Sequence, residues 1–256
     1  VDGLTPDAER SGLDLQKRFF GNFETLARLG SATAPVSNWL AGTRPARILM
    51  ERTLGVDSRR PLPTFKRKTL RNWFQERDPQ VETPKREVVL YPDAYTNYVH
   101  VERGKAAVRV LEALDVAVKI PEVGASGRAP LSQGMVSTAR QSAERVFDDL
   151  QPHLEEQTDI VVVEPSDIAM FRREYERLVP EEDSDTLAER SFDILEYVYG
   201  LLSNGANIDE LSTASEESHL AYHGHCQQRT LGLAVYTEAV LEEAGYDVLS
   251  SEAECC

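Results

Sequence analysis

Short apolar runs alternate with longer amphipathic stretches from about residue 87 onward, and this alternation constrains the fold most strongly. The apolar runs have the length and composition of strands and cover residues 88–91, 116–120, 160–163, 220–223 and 246–249. The stretches between them, such as 102–114 and 132–150, repeat apolar residues at helical spacing. Strands that alternate with helices predict a mostly parallel sheet with helices on both faces. The predicted fold class is therefore α/β.

The strand–helix–strand pattern of residues 88–120 returns in residues 220–249. Cys226 corresponds to Ala94, and the pair Cys255–Cys256 corresponds to Ala125–Ser126 at nearly the same offset along the chain. A pattern that recurs at a fixed offset indicates two copies of one fold. We predict two similar lobes, 87–180 and 186–256, of which the second is incomplete.

Residues 1–80 have a different pattern, and we expect them to form a helical linker segment. Residues 5–29 and 45–54 have helical periodicity, and Gly55 can end the second helix. Within the lobes, we expect 180–185 to be an acidic connector and 186–204 to be helical. The chain begins at Val1 rather than Met, which favours a processed or partial chain.

The charge balance is acidic, with 43 acidic against 28 basic residues, a net charge of −15 and only six lysines. Nucleic-acid binding needs a positive surface, so this balance argues against it. A lysine-poor, acidic chain is typical of halophilic proteins, although ordinary acidic proteins also have this balance. The basic stretch 59–68 could be a nucleic-acid patch, a docking surface for an acidic domain or a solvated linker.

No apolar run approaches the roughly 20 residues that span a bilayer, and the N-terminus lacks a secretory segment. We therefore expect a cytoplasmic protein or one that is peripheral at the inner face of the membrane.

Three cysteines, Cys226, Cys255 and Cys256, lie close to the C-terminus. Adjacent cysteines make a strained disulfide, and an odd number argues against a disulfide framework. Each position follows a predicted strand, and parallel strands bring their carboxyl ends to one edge of a sheet. We therefore predict that the three thiolates hold a metal or an iron–sulfur cluster. Zinc, with His223 or His225 as a further ligand, and three inert thiols are the alternatives.

Several motifs resemble the cysteine-rich (CCG) domain of iron–sulfur oxidoreductases. Residues 91–98 (YPDAYTNY) resemble the opening of a first repeat, 124–134 its Cys-Cys-Gly segment, and 164–167 (EPSD) its Glu-Pro-Ser-Cys turn. Residues 223–226 (HGHC) resemble the opening of the second repeat, most closely in FAD-linked D-lactate dehydrogenase-like proteins and glycolate oxidase iron–sulfur proteins. The family also includes the B subunit of heterodisulfide reductase and the C subunit of anaerobic glycerol-3-phosphate dehydrogenase.

The resemblance implies a 4Fe–4S cluster on Cys226, Cys255 and Cys256, with a fourth ligand outside this chain and His223 and His225 as groups that could surround the cluster. In the first repeat Ala94, Ala125, Ser126 and Asp167 stand where the family can have cysteine, so we expect no metal there.

The function implied is electron transfer from an upstream FAD domain, through a ferredoxin-like domain, to a quinone or similar acceptor, with a 2-hydroxy acid such as D-lactate or glycolate as substrate. A heterodisulfide-reductase-like component, a component like the C subunit of anaerobic glycerol-3-phosphate dehydrogenase and a non-redox scaffold are the alternatives. The sequence assigns no catalytic residue.

Overall fold

The computed structural model describes residues 14–211 and 218–251. Five helices of the described residues precede the first strand: α1 Leu15–Gly21, α2 Phe23–Ala32, α3 Val36–Gly42, α4 Arg44–Leu54 and α5 Leu70–Gln75. Gly55 ends α4 in the left-handed conformation, with φ of 64°, which glycine adopts without strain.

The elements that follow are β1 Arg86–Tyr91, α6 Ala94–Tyr98, α7 Val101–Ala113, β2 Val116–Lys119, α8 Arg128–Ser132, α9 Val136–Glu155, β3 Asp159–Val162, α10 Pro165–Ala169, α11 Glu181–Arg190, β4 Ser191–Asp193 and α12 Ile194–Ser203. A π-helical turn, Met170–Glu174, and a 3₁₀ turn, Tyr175–Arg177, continue α10, and another 3₁₀ turn, Ile208–Glu210, follows α12. The second run comprises β5 His219–Tyr222, α13 Cys226–Leu231, α14 Ala234–Glu243 and β6 Asp247–Ser250.

All strand pairs of the described residues are parallel. The larger sheet has the order β2-β1-β3-β4, and β5 pairs with β6 in a sheet of two strands. In the larger sheet Arg86 pairs with Val116 and Val88 with Asp159, and in the smaller sheet His219 pairs with Asp247. The predicted α/β class is confirmed.

Helices cover both faces of the larger sheet, which explains why its central strands are apolar from Val88 to Tyr91 and from Ile160 to Val162. Val89, Tyr91, Ile160 and Val162 face one side and pack with α9 through the stripe Ala139, Ala143, Val146, Leu150 and Leu154. Val88, Leu90 and Val161 face the other side and pack with α7 and α12. Each strand thus contributes alternate side chains to two cores.

The N-terminal segment is attached to the first lobe by specific contacts. Leu70 of α5 is fully buried in the core that α7 lines. The N–H of Lys66 donates to the carbonyl of Tyr98 at 2.8 Å. Asn38 of α3 makes two hydrogen bonds with the backbone of Phe65, at 2.8 and 2.9 Å, so the end of the basic stretch 59–68 is held against a helix.

Three expectations about individual elements were wrong. The stretch 180–185 is not a connector, because α11 begins at Glu181, and its three acidic residues in the first turn favour a helix start. The stretch 186–204 is interrupted by β4, which is too short to have a periodic signal. The helix predicted over 5–29 begins within residues that are not described, and its described part is divided at Asn22 into α1 and α2.

Candidate functional site

Cys226 is the first residue of α13, and β5 ends shortly before it at Tyr222. Its side chain is exposed, so its sulfur is accessible to a metal ion or cluster. His225 precedes it as the N-cap, and its Nδ1 accepts the N–H of Gln227 at 3.1 Å. The ring of His225 therefore orients the start of the helix that carries Cys226.

The parallel pair β5–β6 brings the chain after β5 next to the chain after β6. Tyr222 pairs with Ser250, and the N–H of Ser251 donates to the carbonyl of Tyr222 at 2.8 Å. Cys255 and Cys256 lie outside the described residues, so their predicted convergence with Cys226 remains a prediction. Cys255 follows Ser251 closely in the chain, and the intervening backbone spans at most about 14 Å.

Among the described residues, no three His, Cys, Asp or Glu side chains are grouped so that they could hold a metal ion. His223 is exposed, and His225 uses Nδ1 in its cap. A metal at this edge would therefore need ligands from outside the described ranges.

A buried polar connection joins the start of α13 to β4 of the larger sheet. The amide nitrogen of Gln228 donates to Asp193 Oδ2 and to Thr237 Oγ1, both at 3.4 Å, and its oxygen accepts from the hydroxyl of Tyr222 at 3.2 Å. Burial raises the pKa of Asp193 to about 6, although N–H groups and the Gln228 amide favour its charged form. The position of α13, and so of Cys226, is thus coupled to the end of β4.

Ala94 has a local setting similar to that of Cys226. It is the first residue of α6, shortly after β1, and its N-cap Asp93 accepts the N–H of Thr96 at 2.8 Å. Both openings therefore have the same order: a strand, a capping side chain and a short helix. The two openings differ in the first residue of the helix, which has a methyl group at Ala94 and a thiol at Cys226.

Ala94, Ala125, Ser126 and Asp167 all line a single cavity of about 790 Å³. Ser126 donates its hydroxyl hydrogen to Asp167 Oδ1, and both residues are buried. Burial, and secondarily the nearby Asp93 carboxylate, raise the pKa of Asp167 well above its usual value. The four positions thus share a site, as a cluster-binding repeat would require, but they offer one hydroxyl and one carboxyl group in place of thiolates.

Two buried tyrosines hold the loop that lines this cavity. Tyr91 donates its hydroxyl hydrogen to the carbonyl of Gly124 at 2.8 Å, and Tyr175 donates to the carbonyl of Ser126 at 2.9 Å. The guanidinium of Arg71 donates to the carbonyl of Val123. The loop is therefore fixed by side chains from a strand, a turn and the N-terminal segment.

Sequence reasoning missed the link between Asp193 and Gln228 and the polar side chains around the cavity. Asp193 and Glu196 form a reciprocal capping box at the start of α12, and the pattern D-x-x-E was a readable signal of this helix start. No sequence signal marks the arginines of the cavity, because they come from α2, α7, α8 and α9 and meet only in the folded chain.

The C subunit of anaerobic glycerol-3-phosphate dehydrogenase is similar to this chain. The proteins of Escherichia coli K12 and O157:H7 are each 22% identical to it over 235 residues, 91% of this chain. The chain spans 59% of the length of these relatives. No family profile matches the chain, and no solved structure matches it significantly. The similarity is thus to a component of an oxidoreductase.

Within the described residues, no helix is both long and apolar enough to cross a membrane.

Proposed function

We propose that this chain is an electron-transfer part of an iron–sulfur oxidoreductase, with Cys226, Cys255 and Cys256 as ligands of a 4Fe–4S cluster. The observation that carries the proposal is the parallel pair β5–β6, in which Tyr222 and Ser250 lie opposite each other. The two segments that lead to the three cysteines leave the sheet at one edge, where a shared centre can form. The fourth ligand comes from elsewhere in the intact protein, because cubane clusters usually take four.

The partner of this part is a flavoprotein dehydrogenase that supplies electrons. Similarity over 91% of the chain to the C subunit of anaerobic glycerol-3-phosphate dehydrogenase supports a partner subunit with dehydrogenase activity. The motif 223–226, HGHC, instead favours an FAD-linked enzyme of the D-lactate or glycolate type. In either case we propose that the electrons pass to a quinone or a similar acceptor, at the cytoplasmic face of the membrane.

The test is the iron content of the intact protein after purification without oxygen. Cys226→Ser should lower iron by one cluster and weaken the visible absorption of the cluster, because serine replaces thiolate poorly in such clusters. Asp167→Asn at the first-lobe site is the matched control and should leave iron unchanged, since that site offers no thiolate. Unchanged iron in Cys226→Ser would reject the cluster assignment, and iron loss in Asp167→Asn would reject a metal-free first lobe.

A further inference from the structure

Large apolar side chains are exposed on the helices that precede the first strand. Eight of the twelve exposed large apolar side chains among the described residues lie on α1 to α4. Single exposed apolar residues are normal on a protein surface, but a concentration of them in one region marks an interaction site. The N-terminal segment therefore presents a surface that water alone does not explain.

The most exposed of these side chains lie on α3 and α4. Val36, Trp39 and Leu40 are spaced so that they share one face of α3, and Trp39 is 71% exposed. None of the residues of α3 is buried. Ile48 and Leu49 are exposed on α4, which follows after the single residue 43. These five side chains, on two adjacent helices, are called the apolar patch below.

The basic stretch 59–68 is fixed beside the two helices of the apolar patch. The guanidinium of Arg47 on α4 donates to the carbonyl of Arg60 at 2.9 Å. Asn38 on α3 binds the backbone of Phe65, as described above. Because one bond comes from each helix, the stretch is held along the apolar patch.

Several cations around the apolar patch are exposed and carry no ion pair with a carboxylate among the described residues. They are Arg44 at the start of α4 and, in the basic stretch, Arg60, Lys66 and Arg67. Residues 1–80 have more basic than acidic side chains, whereas the rest of the chain has the opposite balance. The apolar patch thus lies in the part of the chain that attracts anions.

We propose that α3, α4 and the stretch 59–68 bind the surface of an anionic lipid bilayer. Helices that expose apolar side chains beside cations bind at the boundary between lipid head groups and acyl chains. The Trp39 ring would lie at the level of the head groups, and the cations would contact lipid phosphates. The proposal does not depend on the cluster at Cys226, because none of these residues belongs to the two sheets.

Charge favours a bilayer over a second copy of this chain. Two copies joined face to face through the apolar patch would bring two positive segments together, and like charges oppose such a contact. An anionic bilayer attracts the segment and repels the acidic lobes, so the lobes would point away from it. At 0.1 M salt this repulsion is screened beyond about 10 Å, while cations at the surface keep their attraction.

Flotation of the intact protein with lipid vesicles in 0.1 M KCl tests the proposal. Vesicles of phosphatidylglycerol and phosphatidylcholine should carry the protein upward, and vesicles of phosphatidylcholine alone should bind it at least about tenfold more weakly, because each cation near an anionic surface adds to the attraction. Absence of flotation with the anionic vesicles, or equal binding to both kinds, would overturn the proposal.

Variants locate the binding to the apolar patch and to the basic stretch. Leu49→Ala and Arg67→Gln should each weaken binding to the anionic vesicles at least about threefold, through lost apolar burial and a lost cation respectively. The matched controls are Leu249→Ala on β6 and Arg140→Gln on α9, which alter an exposed leucine and an exposed arginine outside the segment. Full affinity in both segment variants would place the binding elsewhere and reject the site.

Two further measurements separate this proposal from its alternatives. The molar mass from light scattering should not change with protein concentration; a rise that Leu49→Ala abolishes would assign the apolar patch to contact between two copies and overturn the proposal. The iron content should be the same in Leu49→Ala and in the unaltered protein. A failure of vesicle binding therefore leaves the cluster at Cys226 untouched, and a failure of the cluster leaves the vesicle result untouched.

Discussion

At the scale of single residues, the helices that begin at Ala94 and at Cys226 have similar starts. Asp93 caps the helix that begins with Ala94, and His225 caps the helix that begins with Cys226. The cap and the preceding strand place the next side chain at the carboxyl edge of the sheet in both lobes. Alanine and cysteine thus occupy the first position of a short helix in the same local setting.

Asp193 should make stability depend on pH. Its side chain is 1% exposed, and burial raises its pKa to about 6 from the ordinary value of 3.8. A carboxyl group with a raised folded-state pKa contributes stability that is fully present below about pH 4 and is lost as the pH rises through 6.

We expect the free energy of unfolding of the wild type, relative to Asp193→Asn, to fall by about 2 kcal/mol between pH 4 and pH 7. Asparagine keeps the N-cap of α12, so the helix start is preserved in the variant. Urea denaturation of both proteins at pH 4, 5, 6 and 7 measures this difference. Parallel pH profiles of the two proteins would contradict the prediction.

At the scale of elements, close packing fixes the N-terminal segment against the first lobe. Gly104 of α7 lies directly against Leu70 of α5 and Thr96 of α6, and a Cβ at Gly104 would lie only 2.7 Å from Thr96 Cγ2 and closer still to Leu70. The absence of a side chain at Gly104 therefore lets three helices approach one another.

Gly104→Ala should lower the free energy of unfolding by about 1–3 kcal/mol, because the added methyl group overpacks a fully buried contact. Gly200→Ala is the matched control, since a Cβ at that position on α12 meets no atom within 4 Å. The control should raise stability by about 0.5–1 kcal/mol, the usual gain from glycine to alanine in a helix. Urea denaturation of the two variants measures both effects, and equal stability of the variants would show that α5, α6 and α7 do not pack as described.

At the scale of the whole molecule, charge is distributed unevenly along the chain. Residues 1–80 carry 14 basic and nine acidic side chains, a net charge of +5, whereas residues 81–256 carry 14 and 34, a net charge of −20. Self-repulsion of the acidic lobes opposes their compact state, and dissolved salt screens it. The halophilic character proposed from the composition therefore has a measurable consequence.

The melting temperature should rise by at least about 4 °C when KCl is increased from 0.1 to 2 M, which corresponds to about 1–2 kcal/mol for a chain of this size. Choline chloride at the same ionic strength should have a similar effect if screening is the cause. Differential scanning fluorimetry measures both. An unchanged or lower melting temperature in KCl would contradict the prediction, and stabilisation by KCl alone would indicate specific potassium binding.

The sequence by itself determined the α/β class, the places of β1, β2, β3, β5 and β6, and the helices α4, α7 and α9. Buried parallel strands are continuous apolar runs, and apolar residues of amphipathic helices recur with the period of the α-helix. These elements can therefore be predicted from the residues within them. It also marked Ala94 and Cys226 as corresponding positions.

Only the tertiary structure decided what no local pattern encodes. The strand β4 exists because β3 offers it parallel pairing, from Ile160 with Ser191 to Val162 with Asp193. The bond between Asp193 and Gln228 joins residues 35 positions apart, and the cavity gathers arginines from four helices. Such contacts depend on how elements pack, and packing is set by the whole chain rather than by the residues near each contact.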